Sequence, residues 1–443
     1  MTGGDGSEPA IAESKELAAQ IVAAVEGLRP RQASFLRELV RTPSQTGDEG
    51  AAQAVVERWF REAGLEIQSW EPSPEELRPF AESVTLLPSY AGRPNVVGIE
   101  RGASEGRSLV LNAHIDTVEV GDRERWTREP LGGAIEGGQI YGRGACDMKG
   151  GTATNLFALL ALRAAGLELE GDLIIQSTIS EEDGGAGALS AVLRGPRADA
   201  AIITEPTRRA VVPAQGGALM FRITVDGLSA HACVRDEGVS AVEKWAVVHR
   251  GLAAFEARRN ATIEDPLYAS IANKVPLNVG TLRSGSWASS VPEWLVAEGR
   301  AGLVPGETLE GFKREFRAEL AAIAETDPWL RDHPPAVEWL GGQFAPVGID
   351  AVHPLVHSVV AAHASIDGAP PPVEAVTYGA DMRHFVLTGG MPCVMYGAGD
   401  VRLAHAPDEH LSLDELAAAT ATVALAAANW CGARVRTTEH RSR

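Results

Sequence analysis

The stretch between residues 109 and 151 constrains this chain more than any other. An apolar run, Leu109-Val110-Leu111, ends in Asn112-Ala113-His114-Ile115-Asp116-Thr117. After a loop, Gly142-Arg143-Gly144-Ala145-Cys146-Asp147-Met148-Lys149-Gly150-Gly151 opens a helical pattern. A short β-rich run of this kind reads as a buried strand, with His114 and Asp116 just past its carboxyl end. Residues two apart on an extended chain point the same way, so an imidazole and a carboxylate leave the strand together. That pairing gives a metal ligand beside a carboxylate able to hydrogen-bond its other ring nitrogen. Asp147 follows in a glycine-rich turn, where backbone can come close to an ion.

Two later strand ends repeat the theme. The β-like run Asp172-Leu173-Ile174-Ile175-Gln176-Ser177-Thr178-Ile179 ends in Ser180-Glu181-Glu182-Asp183, and Ala200-Ala201-Ile202-Ile203 ends in Thr204-Glu205-Pro206. Helical stretches separate these strands, a pattern that predicts an α/β fold whose sheet is flanked by helices. In such sheets ligands bind beyond the carboxyl ends of the strands.

The texture changes near Gly216-Gly217. Phe221-Arg222-Ile223-Thr224-Val225 alternates, as a half-exposed strand does. The pattern then predicts a helix (238–258), two strands (275–282 and 293–302), a helix (308–324) and a strand (336–340). We read residues 217–341 as an inserted α+β unit of about a hundred residues, interrupting a main domain formed by residues 1–216 and 342–443. Within the main domain the first fifteen residues are expected to be loose, residues 14–39 and 48–61 helical, and the Pro-rich piece 71–94 a loop. Residues 416–430 are expected to form a buried terminal helix.

The 443 residues leave room for two domains with a generous core, at 45% hydrophobic and 22% charged. A net charge of −19 argues against a nucleic-acid partner, which needs clustered Lys and Arg. Cys146, Cys233, Cys393 and Cys431 are far apart and form no CxxC pair, so a reducing, cytoplasmic compartment is the simpler reading. The amino terminus lacks the pattern of a secretory signal, and no stretch is apolar enough to span a bilayer.

The candidate ligands are His114, Asp147, Glu182, Glu205 and His405, the last from Ala404-His405-Ala406-Pro407-Asp408-Glu409. Nitrogen and oxygen donors without thiolate suit zinc, manganese or cobalt in an open site. Five groups are too many for one tetrahedral ion. They suit two divalent ions, roughly 3.5–4 Å apart, sharing one carboxylate. Glu181, beside a ligand and not needed as one, is placed to be the general base. Each residue alone has a plainer reading: Asp147 as a helix cap, the Glu181-Glu182-Asp183 run as a solvated turn. Their shared position at strand ends is what carries the argument.

These motifs resemble the M20 family of metallopeptidases, closest to its acetylornithine deacetylase and succinyl-diaminopimelate desuccinylase branch, over nearly the whole chain from about residue 33. The resemblance implies a zinc-peptidase-like catalytic domain and a lid that forms a homodimer. It implies that His114 and Glu205 bind one ion, Glu182 and His405 the other, and that Asp147 bridges them. Asp116 would orient His114, and a cis peptide is expected at Asp147-Met148. Gly227-Leu228-Ser229-Ala230-His231-Ala232 resembles the family's lid motif, whose histidine helps hold the oxyanion in the partner subunit's site. Asn278, Arg300 and Arg383 are further substrate-binding candidates, Arg383 as a bidentate partner for a substrate carboxylate. Ala380 stands where relatives usually have Thr, which removes a hydroxyl from that segment.

The resemblance thus implies a two-metal hydrolase that deacylates an N-acyl amino acid or related small amide. A carboxypeptidase or dipeptidase uses the same machinery. A non-catalytic, metal-dependent binding protein is the reading from another class, and Glu181 speaks against it, because a binding module needs no base.

Overall fold

The computed structural model describes residues 8–436, with side chains from residue 15 onward. Of the first fifteen residues, expected to be loose, 1–7 lie outside the described residues. The rest open a helix, Glu8–Arg41. Pro9 falls in its first turn, where a missing amide proton costs nothing.

The main sheet has six strands in the order Glu66–Trp70, Asn95–Glu100, Leu173–Thr178, Leu109–His114, Ala200–Ile203 and Cys393–Met395. The last four are mutually parallel and the first two are antiparallel additions, which makes the sheet mixed. Alternation explains why the four parallel strands are buried throughout. Leu109, Leu111, Leu173, Ile175 and Ile202 join the core under the helices Glu8–Arg41, Gly150–Ala164 and Leu413–Cys431. Val110, Ala113, Ile174, Ala201 and Ile203 join a second core on the opposite face, with Met382, Phe385 and Met395. Gly150–Ala164 is buried nearly all round, as a helix wedged between sheet and helices must be. Leu413–Cys431 is the expected terminal helix, and its first turn is capped by the Ser412 hydroxyl, which accepts from the Glu415 amide.

Parallel pairing brings the strand ends level. His114 pairs with Thr178, and the Thr204 amide donates to the Asn112 carbonyl at 3.1 Å. The segments after Thr178, His114 and Ile203 therefore leave the sheet on one edge.

A second sheet is wholly antiparallel, in the order Leu277–Ser284, Trp294–Leu303, Gly217–Asp226 and Ala336–Phe344. Leu219, Phe221, Ile223 and Val225 turn one face toward helices Ala241–Thr262 and Leu309–Ala324, where Trp245, Val248, Phe255, Phe312 and Phe316 complete a separate core. The last strand runs to Phe344, past the predicted residue 340, because Gly342-Gln343-Phe344 stays in extended backbone and Phe344 pairs with Ala218.

Candidate active site

His114 ends its strand buried, and its Nε2 lies 3.2 Å from Asp147 Oδ1. Its Nδ1 is 2.9 Å from the Asp116 backbone carbonyl and 3.6 Å from the Asp116 carboxylate. The shorter of the two contacts from Asp116 to the ring comes from its main chain. The carboxylate itself accepts the Glu181 amide at 3.0 Å, the Glu182 amide at 3.1 Å and the Thr46 hydroxyl at 3.0 Å. Burial alone would raise this carboxyl, but the hydrogen bond and charge of His114, joined by the two amides, outweigh it and hold the group below the usual carboxylate range. Asp116 thus fixes the turn that carries Glu181 and Glu182. Arg93 holds the same turn from beneath, pairing with buried Glu49 at 2.6 Å and donating to the Ser180 hydroxyl at 2.5 Å.

Asp147 stands in a turn entered through Gly144, whose φ of +79° favours glycine and where a Cβ would lie 2.5 Å from the Thr117 methyl. The peptide Asp147-Met148 is cis, as the resemblance implied. Glu409 fastens the turn: one carboxylate oxygen accepts the amides of Cys146 (3.0 Å) and Asp147 (3.1 Å), and the other pairs with buried Arg143 at 2.6 Å. Lys149, also buried, donates to the carbonyls of Leu39 (2.8 Å) and Thr42 (3.0 Å), where the first helix ends. Glu409 and Lys149 lie inside the recognised motifs, yet their roles have no sequence signal, because their partners are far along the chain.

His405 has φ of +61°, and its Nε2 lies 3.1 Å from Glu182 Oε2 and 3.5 Å from Asp147 Oδ2. Glu205 is buried just past the end of Ala200–Ile203. Among the described residues two groups can each hold an ion: His114, Asp147 and Glu205, and Asp147, Glu182 and His405, with one ligand atom from each residue within 4.8 Å of the others. The structure therefore brings all five predicted ligands together, with Asp147 common to both groups. The donor set fits divalent cations: two imidazoles, three carboxylates and no thiolate. Burial, with the Asp147 carboxylate nearby, pushes Glu205 well above the usual carboxylate range against the opposing pull of His114. Glu181 is buried beside them and shifts the same way, through burial first and the Asp381 carboxylate second. Glu181 belongs to neither ligand group and adjoins Glu182, a place from which a carboxylate can serve as general base.

The remaining candidates lie elsewhere. His231 is exposed, with its Nδ1 accepting the Cys233 amide at 3.2 Å, and belongs to neither ligand group. Asn278 and Arg300 face each other across paired strands of the second sheet, and Arg300 donates to the Thr377 carbonyl at 3.0 Å. Arg383 is held by the main chain. It is buried, with Nη1 donating to Ala380 O at 2.7 Å and Nη2 to Gly184 O at 2.7 Å and Ser83 O at 3.4 Å. These bonds engage both Nη atoms, while the buried Nε has no hydrogen-bond partner among the described residues.

The family model for peptidase family M20/M25/M40 matches residues 110–429. The N-formyl-4-amino-5-aminomethyl-2-methylpyrimidine deformylase of Bacillus subtilis is 31% identical over 389 residues, covering 82% of this chain and 89% of that protein. The acetylornithine deacetylase of Edwardsiella ictaluri is 28% identical over 403 residues, covering 87% and 94%. Among solved structures, a tripeptidase from Staphylococcus aureus superposes with a TM-score of 0.70 at 20% identity, covering 91% of this chain and 98% of that one. The chain belongs to the M20/M25/M40 peptidase family. It is an amide-bond hydrolase of that family, built as a catalytic domain with a lid.

Proposed function

We propose that the enzyme removes a small acyl group, formyl or acetyl, from a small amide, with Glu181 as general base. The observation that carries this reading is the placement of Glu181: buried, held by its own amide on the Asp116 carboxylate, and adjacent to a ligand set of five. His114, Asp147 and Glu205 would hold one divalent ion, and Asp147, Glu182 and His405 the second, with zinc favoured and cobalt or manganese compatible with the same donors. Such ions supply Lewis acidity toward the scissile carbonyl and toward water. Glu181 takes the proton of the attacking water and returns it to the nitrogen of the departing amine, so the carbon–nitrogen bond breaks to give a free acid and a free amine.

The amine portion is proposed from the arginines. With both Nη atoms of Arg383 bonded to carbonyls, the reading we favour is a substrate without a carboxylate at that place. That agrees with the B. subtilis relative, whose named pyrimidine substrate carries none. A second reading, an N-acyl amino acid, is favoured by Arg300, which donates to the Thr377 carbonyl and stands opposite Asn278 on the neighbouring strand. A panel of N-formyl and N-acetyl amines, the matching N-acyl amino acids, and dipeptides decides between them. Glu181→Gln should retain its metal and lose about 10²–10⁴-fold in turnover on whichever substrate is used. Near-normal activity in that variant removes the assigned base.

Residues 217–341 are proposed as the lid and 1–216 with 342–443 as the catalytic domain, in a cytoplasmic homodimer joined through the lid. Support comes from the lid's exposed apolar side chains, Leu282 at 48% and Trp287 at 74%, and from His231, which is exposed here and would act on a second copy's site. No helix among the described residues is long and apolar enough to cross a membrane.

A further inference from the structure

Four segments distant in sequence meet at one guanidinium. Arg383 donates to Ala380 O and Gly184 O, each at 2.7 Å, and to Ser83 O at 3.4 Å. Its guanidinium carbon lies 3.9 Å from the centre of the Phe344 ring. Gly184 closes the turn that carries Glu181, with its amide donating to the Glu181 carbonyl at 2.9 Å. Phe344 is the last residue of the final strand of the lid sheet. The loop between them is held from both sides: the Gln343 amide donates to Glu82 O at 2.9 Å, and a Cβ on either Gly184 or Gly342 would come within 3.0 Å of the Thr85 amide nitrogen. Turn, loop and lid strand are therefore packed at backbone distance, with Arg383 as the polar tie between them.

We infer that Arg383 is a positioning residue that fixes the Glu181 turn against the end of the lid strand, and that it does not bind the substrate. The inference rests on Glu181 being the base. A planar guanidinium suits this task, because it can reach two carbonyls in different directions while stacking on an aromatic ring. A lysine keeps the charge but offers neither the fork nor the stacking face. The lid strand end and the base then share one rigid connection, so a change at Phe344 should reach the chemistry without touching the substrate.

The test compares Arg383→Lys and Phe344→Leu with the unaltered enzyme, on N-formyl-2-phenylethylamine and N-formylphenylalanine, which differ by one carboxylate. Metal content and thermal unfolding are followed alongside. The expected result is a fall in kcat of about 10- to 100-fold for Arg383→Lys, equal on the two substrates, with KM and metal content unchanged and a smaller equal fall for Phe344→Leu. A rise in KM confined to N-formylphenylalanine overturns the inference and restores Arg383 as a carboxylate partner. Unchanged kcat in both variants also overturns it. If Arg383→Lys does not fold, Phe344→Leu decides alone: an equal loss of kcat supports the tie, and no loss refutes it. Full turnover in Glu181→Gln brings down the base itself, in a protein whose Arg383 is intact, so the two failures are told apart.

Discussion

His114 and Glu205 lie beneath the surface at 2% and 5% of full exposure, whereas the His405 side chain is 53% exposed, and Asp147 belongs to both groups. The inner group is set by the sheet: His114 ends the central strand, Glu205 follows the next, and inter-strand hydrogen bonds fix their register. The outer group depends on His405, a loop residue with positive φ, whose imidazole reaches Glu182 from the solvent side. Two sites with similar donors can thus differ in rigidity and access. Elements deep in a sheet open only with much of the fold, while loop residues move in small local steps. The inner ion is expected to be held longer and the outer one to exchange readily.

The largest break in this contrast should come from Asp147, which both groups share. Asp147→Ala is expected to lose both ions and to drop turnover to background, roughly 10⁴-fold or more, as read by metal analysis and initial rates. Retention of a full metal complement would mean that the halves are independent.

A smaller effect separates the halves. His405→Ala should keep about one equivalent of metal per chain, while Glu205→Ala weakens the inner position. In the unaltered enzyme, a chelator should remove metal in two phases, and the fast phase should be missing in His405→Ala. A single phase would show that the two halves exchange alike.

The smallest effect is a pH dependence of the metal-free protein. The hydrogen bond to Glu182 raises His405 above the ordinary histidine value, with burial opposing. A raised folded-state pKa contributes stability below the unfolded value, and this is lost as pH rises through the folded one. The melting temperature of the metal-free chain should therefore drift slightly downward from about pH 6 upward, while metal uptake at the outer group strengthens over the same interval. Exposure keeps the His405 share small, and His405→Ala should lessen the drift, leaving the part that buried His114 contributes, raised against burial by Asp116 and Asp147.

What the sequence disclosed follows from how local each signal is. The apolar run before His114 and the glycines around Asp147 mark a strand end and a close turn through neighbouring residues alone. The alternation in Phe221-Arg222-Ile223-Thr224-Val225 announced a sheet with one face covered, and that face carries a core of its own. Arg383 could not be read this way. Its acceptors at Gly184 and Ser83 are 199 and 300 residues distant, and nothing near Arg383 says whether its fork meets a carbonyl or a substrate. Glu409 reaches back 263 residues to the Cys146 amide, and Asp116 spends its carboxylate on amides more than sixty positions away. Ligand types are local chemistry, whereas the supports that hold them are long-range geometry.

The buried amino group of Lys149 gives the opening helix a stake in catalysis. Two residues beyond the shared aspartate, it grips the carbonyls of Leu39 and Thr42, so the end of the first helix and the metal-bearing turn are one mechanical unit. A shortened chain that begins after residue 42 would do more than expose an apolar groove. It would also take from the Lys149 amine, which burial pulls down to about 7, both carbonyls it donates to, directly behind the carboxylate on which both ions depend.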